Sequence, residues 1–138
     1  LDWIYYDVGR KVFKNPEEAL IKYASVISGR TTFENFYEDT KLPSPRIKNS
    51  EDKAYKLLEM MRFKIYMYTS CGWFWESVGR IEPFTNFLAA NSAIKLAKDI
   101  SPRGDVEDNF VHHLPDHMKH QYSNAVRIND DFIRQHAV

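Results

Sequence analysis

The chain of 138 residues carries 19 basic and 19 acidic side chains, one cysteine, and 43% apolar and 14% aromatic residues. Zero formal net charge removes the basic excess on which nucleic-acid affinity rests, and no run approaches the ~18 uninterrupted apolar residues of a membrane span. The lone Cys71 excludes a disulfide framework within the chain and points to a reducing, cytoplasmic setting.

The length suits a single helical domain over residues 1–138, large enough to fold without a staple. The start, Leu1-Asp2-Trp3, has no Met, no basic region and no apolar run of the signal-peptide kind. It reads as a cut from a longer polypeptide. Trp3, Ile4, Val8 and Phe13 predict a helix over 1–13 in spite of Gly9. Asn15-Pro16-Glu17-Glu18 is a helix start: Asn caps, Pro fits the first turn and the acids complement the dipole. Ala19, Leu20, Tyr23, Ala24 and Ile27 follow at helical spacing, and Gly29 is the stop. Thr31 or Thr32 caps a short helix through Phe36 and Tyr37. Residues 40–50 hold Pro43 and Pro45 and read as a loop.

The longest helix is predicted over 50–68, with Ser50 as cap and Glu51 and Asp52 in its first turn. Ala54, Leu57, Leu58, Met61, Ile65 and Tyr68 form its apolar stripe, and Met60, Phe63 and Met67 widen it, so this helix belongs at the centre. Gly72 breaks the pattern before Trp73-Phe74-Trp75-Glu76. A further helix begins near Glu82-Pro83 and carries Phe84, Phe87, Leu88, Ala90, Ala93, Ile94 and Leu96. Residues 101–104 turn, 105–113 resume helix until Pro115, and Val126, Ile128, Phe132 and Ile133 support a last helix over 124–136. The β-looking run 64–69 lies in helical context. The chain is therefore expected to be all-α, an antiparallel helical bundle of about five to six helices joined by short loops.

Three adjacent aromatics cannot all enter one core, so at least one of Trp73, Phe74 and Trp75 reaches a surface, a pocket or a partner. Flat aromatic faces suit the apolar C–H faces of sugar rings. The competing reading is a hydrophobic plug between two helices, which composition alone favours. Cys71 has no His beside it in sequence and reads as a buried, inert thiol. Glu76 and Glu82 flank the loop and offer a carboxylate pair of the glycosidase type. Sequence fixes no distance between them, and each also reads as a helix-terminal acid. His112, His113, His117 and His120 suggest a metal site, but Pro115 interrupts their helical spacing and they read as a solvated polar face. The chain has no Gly-rich phosphate loop, nucleophile elbow or Walker-type lysine motif, so no catalytic residue, metal or cofactor is expected in it.

The run Tyr68-Thr69-Ser70-Cys71-Gly72-Trp73-Phe74, with Glu76 and Ile81-Glu82 after it, resembles a known pattern. It is similar to the C-terminal helical domain of unknown function found in glycoside hydrolase family 57-like (alpha-amylase/alpha-mannosidase-like) proteins. Leu57-Leu58-Glu59, Arg62, Ala93-Ile94-Lys95-Leu96-Ala97, Ser123-Asn124 and, upstream, Tyr23 and Val26-Ile27 extend the resemblance over most of the chain. Trp75 stands where the family commonly has Phe, Pro83 where it usually has Thr, and the histidine-rich stretch has no counterpart; these departures bear on fine specificity. The resemblance implies a parent acting on α-glucans by a retaining mechanism, its catalytic Glu and Asp on an N-terminal barrel outside this chain. It implies a helical region packed on that barrel, lending aromatics to the substrate cleft. By that implication Trp73, Phe74, Trp75, Glu76 and Glu82 are the substrate-binding candidates. The barrel of the same polypeptide is the partner and an oligosaccharide or polysaccharide the ligand. The alternative is a purely structural or protein-interaction module.

Overall fold

The computed structural model describes residues 1–73, 80–102 and 105–136. Every regular element among them is an α-helix: α1 (Asp2–Gly9), α2 (Pro16–Ile27), α3 (Phe33–Thr40), α4 (Ser50–Met67), α5 (Ser70–Trp73), α6 (Ile81–Ile100), α7 (Val106–His113) and α8 (Asp116–His136). The fold is all-α, as expected. α1, α3 and α7 are short, of eight residues each, and α5, a single turn, is the one helical segment that the sequence pattern does not place.

Local chemistry explains most boundaries. Asn15 Oδ1 accepts from the amides of Glu17 at 3.1 Å and Glu18 at 3.2 Å, and Gly29 ends α2 with a φ of 71°. Thr32 Oγ1 accepts from the Asn35 amide at 3.3 Å, which selects Thr32 over Thr31 as cap. Three expectations are corrected. The first helix stops at Gly9, not at residue 13, because Phe13 is drawn into a backbone bridge with Lys41. The cap of α4 is Asn49, left-handed at φ 52°, while the Ser50 hydroxyl lies 2.6 Å from that of Tyr37. The last helix starts at Asp116 rather than 124. Pro115 both ends α7 and opens α8, its carbonyl accepting from the Met118 and Lys119 amides at 2.9 and 3.2 Å.

α4 and α6 pack antiparallel: Thr69, just past α4, meets Asn86 near the start of α6, and Lys56 near the start of α4 reaches Asp99 at the end of α6. α7 doubles back, so α8 runs in the same sense as α6, with Asn91 against Tyr122 and Lys95 against Asp130. α6 is the shared spine. Ala93, Ala97 and Ile100 join the main core of α1–α4, which includes the fully buried Tyr5, Val12, Phe13, Leu57, Leu58 and Met60. Phe87, Ala90 and Ile94 join Tyr122 and Ala125 of α8 in a smaller cluster. Within the main core Glu59 is buried with its charge answered: Tyr23 donates to Oε1 at 2.6 Å, and Arg62 Nη1 reaches both carboxylate oxygens at 3.1 and 3.3 Å. No helix among the described residues is long and apolar enough to cross a membrane.

Candidate functional site

The apolar stripe of α4 leaves the core before the helix ends. Ala54, Leu57, Leu58 and Met61 are buried, but Ile65 is 59% and Tyr68 65% exposed. The aromatic motif therefore begins at the surface. The Thr69 hydroxyl lies 2.9 Å from the Tyr66 carbonyl oxygen and 2.9 Å from Asn86 Oδ1, and Asn86 Nδ2 donates to the Thr69 carbonyl at 3.1 Å. A Cβ on Gly72 would stand 2.0 Å from the same Asn86 Nδ2. Thr69 and Gly72 thus work as a clamp. The threonine holds the buried Asn86, and the missing side chain at 72 lets α5 lie against α6.

Trp73 follows this clamp. Its indole Nε1 donates to the Met67 carbonyl at 2.9 Å, and its ring meets Phe87 edge-on, centroids 5.6 Å apart. It still keeps 41% of its surface exposed. One edge of the ring is anchored and the rest is open. Phe74, Trp75 and Glu76 lie outside the described residues, as does the side chain of Cys71. Glu82 is half-buried in the first turn of α6, accepting from Arg80 Nε at 3.4 Å, while the Thr85 hydroxyl donates to its carbonyl at 2.7 Å. That is the environment of a helix-terminal acid. His112 and His113 end α7, His117 and His120 belong to α8, and all four are exposed. Among the described residues no three His, Cys, Asp or Glu side chains are grouped to hold a metal ion.

The structure adds a site that the sequence did not reveal. A cleft of about 600 Å³ opens between the start of α1, the end of α4, the middle of α6 and α7. Its apolar part comes from Ile4, Met67, Ala90, Ile94 and Phe110; Trp3 and Tyr68 supply aromatic surface. Asp105, Asn109 and His113 add a polar stripe, each four residues from the next. Lys64 joins Asp2 at the mouth with Nζ–O distances of 2.5 and 2.6 Å. Trp73 is tied to the cleft through Met67, whose carbonyl it binds. The spacing of Asp105, Asn109 and His113 was visible in the sequence. That α1 would arrive to close the other wall was not.

A polar network fixes α7 from behind. The Tyr122 hydroxyl donates to Glu107 Oε1 at 3.1 Å and accepts from Asn91 Nδ2 at 3.4 Å; Asn129 Nδ2 donates to Asn91 Oδ1 at 2.8 Å, and Lys98 pairs with Glu107. Burial pushes the Tyr122 phenol above its ordinary range, so it stays a neutral donor.

The family model described as a domain of unknown function (DUF3536) matches residues 1–137. No curated protein and no solved structure matches the chain.

Proposed function

The chain belongs to the DUF3536 domain family, and we propose that it is the C-terminal helical accessory domain of a glycoside hydrolase family 57-like protein, packed on a catalytic barrel of the same polypeptide and lending aromatic surface to an α-glucan site. The observation that carries this reading is the setting of Trp73. A ring fixed at one edge by a hydrogen bond and an aromatic neighbour, with the remainder in solvent, is preorganised for stacking. Phe74, Trp75 and Glu76 follow Trp73 directly in the sequence. Ile65 and Ile81, both largely exposed, supply apolar area for the barrel to cover. The chemistry belongs to the barrel, and Glu82 serves the helix that carries the site.

A second reading has its own observation. The Thr69–Asn86–Gly72 clamp gives the motif a purely structural use, which suits a scaffold or interaction module without ligand.

The deciding experiment uses the full-length polypeptide that carries these residues, native and Trp73→Ala. Maltooligosaccharide binding and turnover are followed beside thermal unfolding. Lost affinity at an unchanged melting temperature supports the sugar-contact reading. Lost stability with unchanged affinity in the folded protein makes the loop a plug and the domain a scaffold.

A further inference from the structure

We propose that the cleft between α1, α4, α6 and α7 binds a neutral sugar ring, giving this domain a carbohydrate subsite of its own. The inference rests on the carbohydrate reading above and extends it to residues outside the aromatic loop. At about 600 Å³ the cleft falls within the size range of small-molecule sites, roughly 300–1,000 Å³.

Two walls of different chemistry face it. Trp3 from α1 and Tyr68 from the end of α4 supply aromatic surface, 56% and 65% exposed. Asp105, Asn109 and His113 lie four residues apart, so they share one side of α7, and all three line the cleft. They offer a carboxylate acceptor, an amide that both donates and accepts, and an imidazole. His113 Nδ1 lies 2.7 Å from the Asn109 carbonyl oxygen, so Nδ1 is the donor of that bond and Nε2 is left for a ligand. A pyranose presents the matching pair of surfaces: apolar C–H faces, and a rim of hydroxyls that donate and accept.

Charge narrows the ligand class. The one lysine of the lining, Lys64, is already paired with Asp2, and Asp105 adds a further negative charge. Phosphorylated or carboxylated sugars meet no unpaired lysine there and are repelled by Asp105. A wholly apolar guest would cover Asp105 and Asn109 without satisfying them, which costs free energy. A neutral polyhydroxyl ring meets both walls without either penalty.

The test object is the full-length polypeptide that carries these residues, with the cleft variants made in it. It is titrated with maltotriose, cellotriose and mannotriose, followed by calorimetry and tryptophan fluorescence, with circular dichroism on every variant. At least one trisaccharide binds. Asn109→Ala, at an exposed helical position, then weakens binding roughly three- to tenfold, the loss of one hydrogen bond. Trp3→Ala weakens it by about tenfold or more. Tyr68→Ala replaces Trp3→Ala if the latter fails to fold, and Ile21→Ala on the remote α2 leaves affinity unchanged. Binding of cellotriose or mannotriose alone, lost in the cleft variants, upholds the cleft and removes the α-glucan reading. Maltotriose binding that depends on Trp73 but not on Asn109 or an aromatic of the cleft overturns the cleft and keeps that reading. No binding of any trisaccharide, or tighter binding of a phosphorylated sugar, overturns the inference.

Discussion

The two clusters that share α6 are held together differently. The main core of α1–α4 is closely packed, with Tyr5, Phe13, Leu57, Leu58 and Met60 almost wholly buried and the carboxylate of Glu59 answered by Tyr23 and Arg62. The smaller cluster around Phe87 and Tyr122 is ringed by half-buried side chains such as Met67, Phe110, Leu114 and Met118, and it depends on the Asn91–Tyr122–Glu107 network for its geometry. Ile4 comes from the first cluster, Ala90 and Ile94 from the second, Val106 packs against both, and all four line the cleft. The cleft thus opens along the seam. Where one core ends before the next is complete, apolar surface and polar groups stay accessible together, and a binding site needs both.

Truncation sets the two regions apart most strongly. Leu58→Ala in the main core is expected to cost about 3–5 kcal/mol, because a fully buried leucine leaves both a transfer loss and a cavity. Leu114→Ala beside the second cluster is expected to cost about 1 kcal/mol, since its half-buried side chain has less to lose. Urea denaturation of both variants checks the contrast, and equal losses would erase it.

Gly72→Ala probes the clamp that anchors the aromatic motif to the second region. The new methyl must displace the buried Asn86 amide, so the expected loss is about 2–3 kcal/mol from overpacking and broken hydrogen bonds. The double variant Gly72→Ala/Asn86→Ala recovers part of it. Additive losses would show that the two residues do not act on each other.

Both regions bury tyrosines, and alkaline pH tests them together. Burial raises the phenols of Tyr5 and Tyr23 in the first and Tyr122 in the second above the ordinary value near 10. The folded state then holds protons that the unfolded chain has released. Their stabilisation is complete below about pH 10 and declines as the pH rises beyond it. Melting temperatures between about pH 8 and 11 should fall across that window. Tyr23→Phe should shallow the fall and itself cost about 1.5 kcal/mol, the low end for a bond to a charged group, because Arg62 still holds Glu59. A flat profile would mean that these phenols titrate as they do in water.

These contrasts also mark how far the sequence was legible. The Asn15 cap, the Gly29 stop and the buried half of the α4 stripe follow from local rules, because each depends on neighbours within about one or two turns. The exposure of Ile65 and Tyr68 does not, since the same periodicity runs on at positions that no neighbouring helix covers. The early start of α8 had a local signal in Pro115-Asp116 and in the spacing of Met118, Tyr122 and Ala125. Pro115 both ends one helix and opens the next. In the motif, three adjacent aromatics drew attention to Trp73, but the role of Gly72 depends on Asn86 across a helix boundary. The cleft was least legible: Trp3 and Asn109 meet only after the whole chain has folded.

The smallest expected effect lies at the mouth of that cleft. Asp2 and Lys64 join α1 to the exposed end of α4, with the lysine mostly covered and the aspartate 60% exposed. An exposed carboxylate leaves the attraction largely screened, so a double-mutant cycle with Asp2→Asn and Lys64→Met should give a coupling of roughly 0.2–1 kcal/mol that shrinks as salt is added. The number decides what kind of seam this is. A weak, salt-sensitive coupling means that water reaches the mouth and a ligand enters without breaking a costly contact. A coupling of several kcal/mol that salt leaves untouched would mean a desolvated pair holding the walls together, and the seam would then belong to the rigid region rather than to the open one.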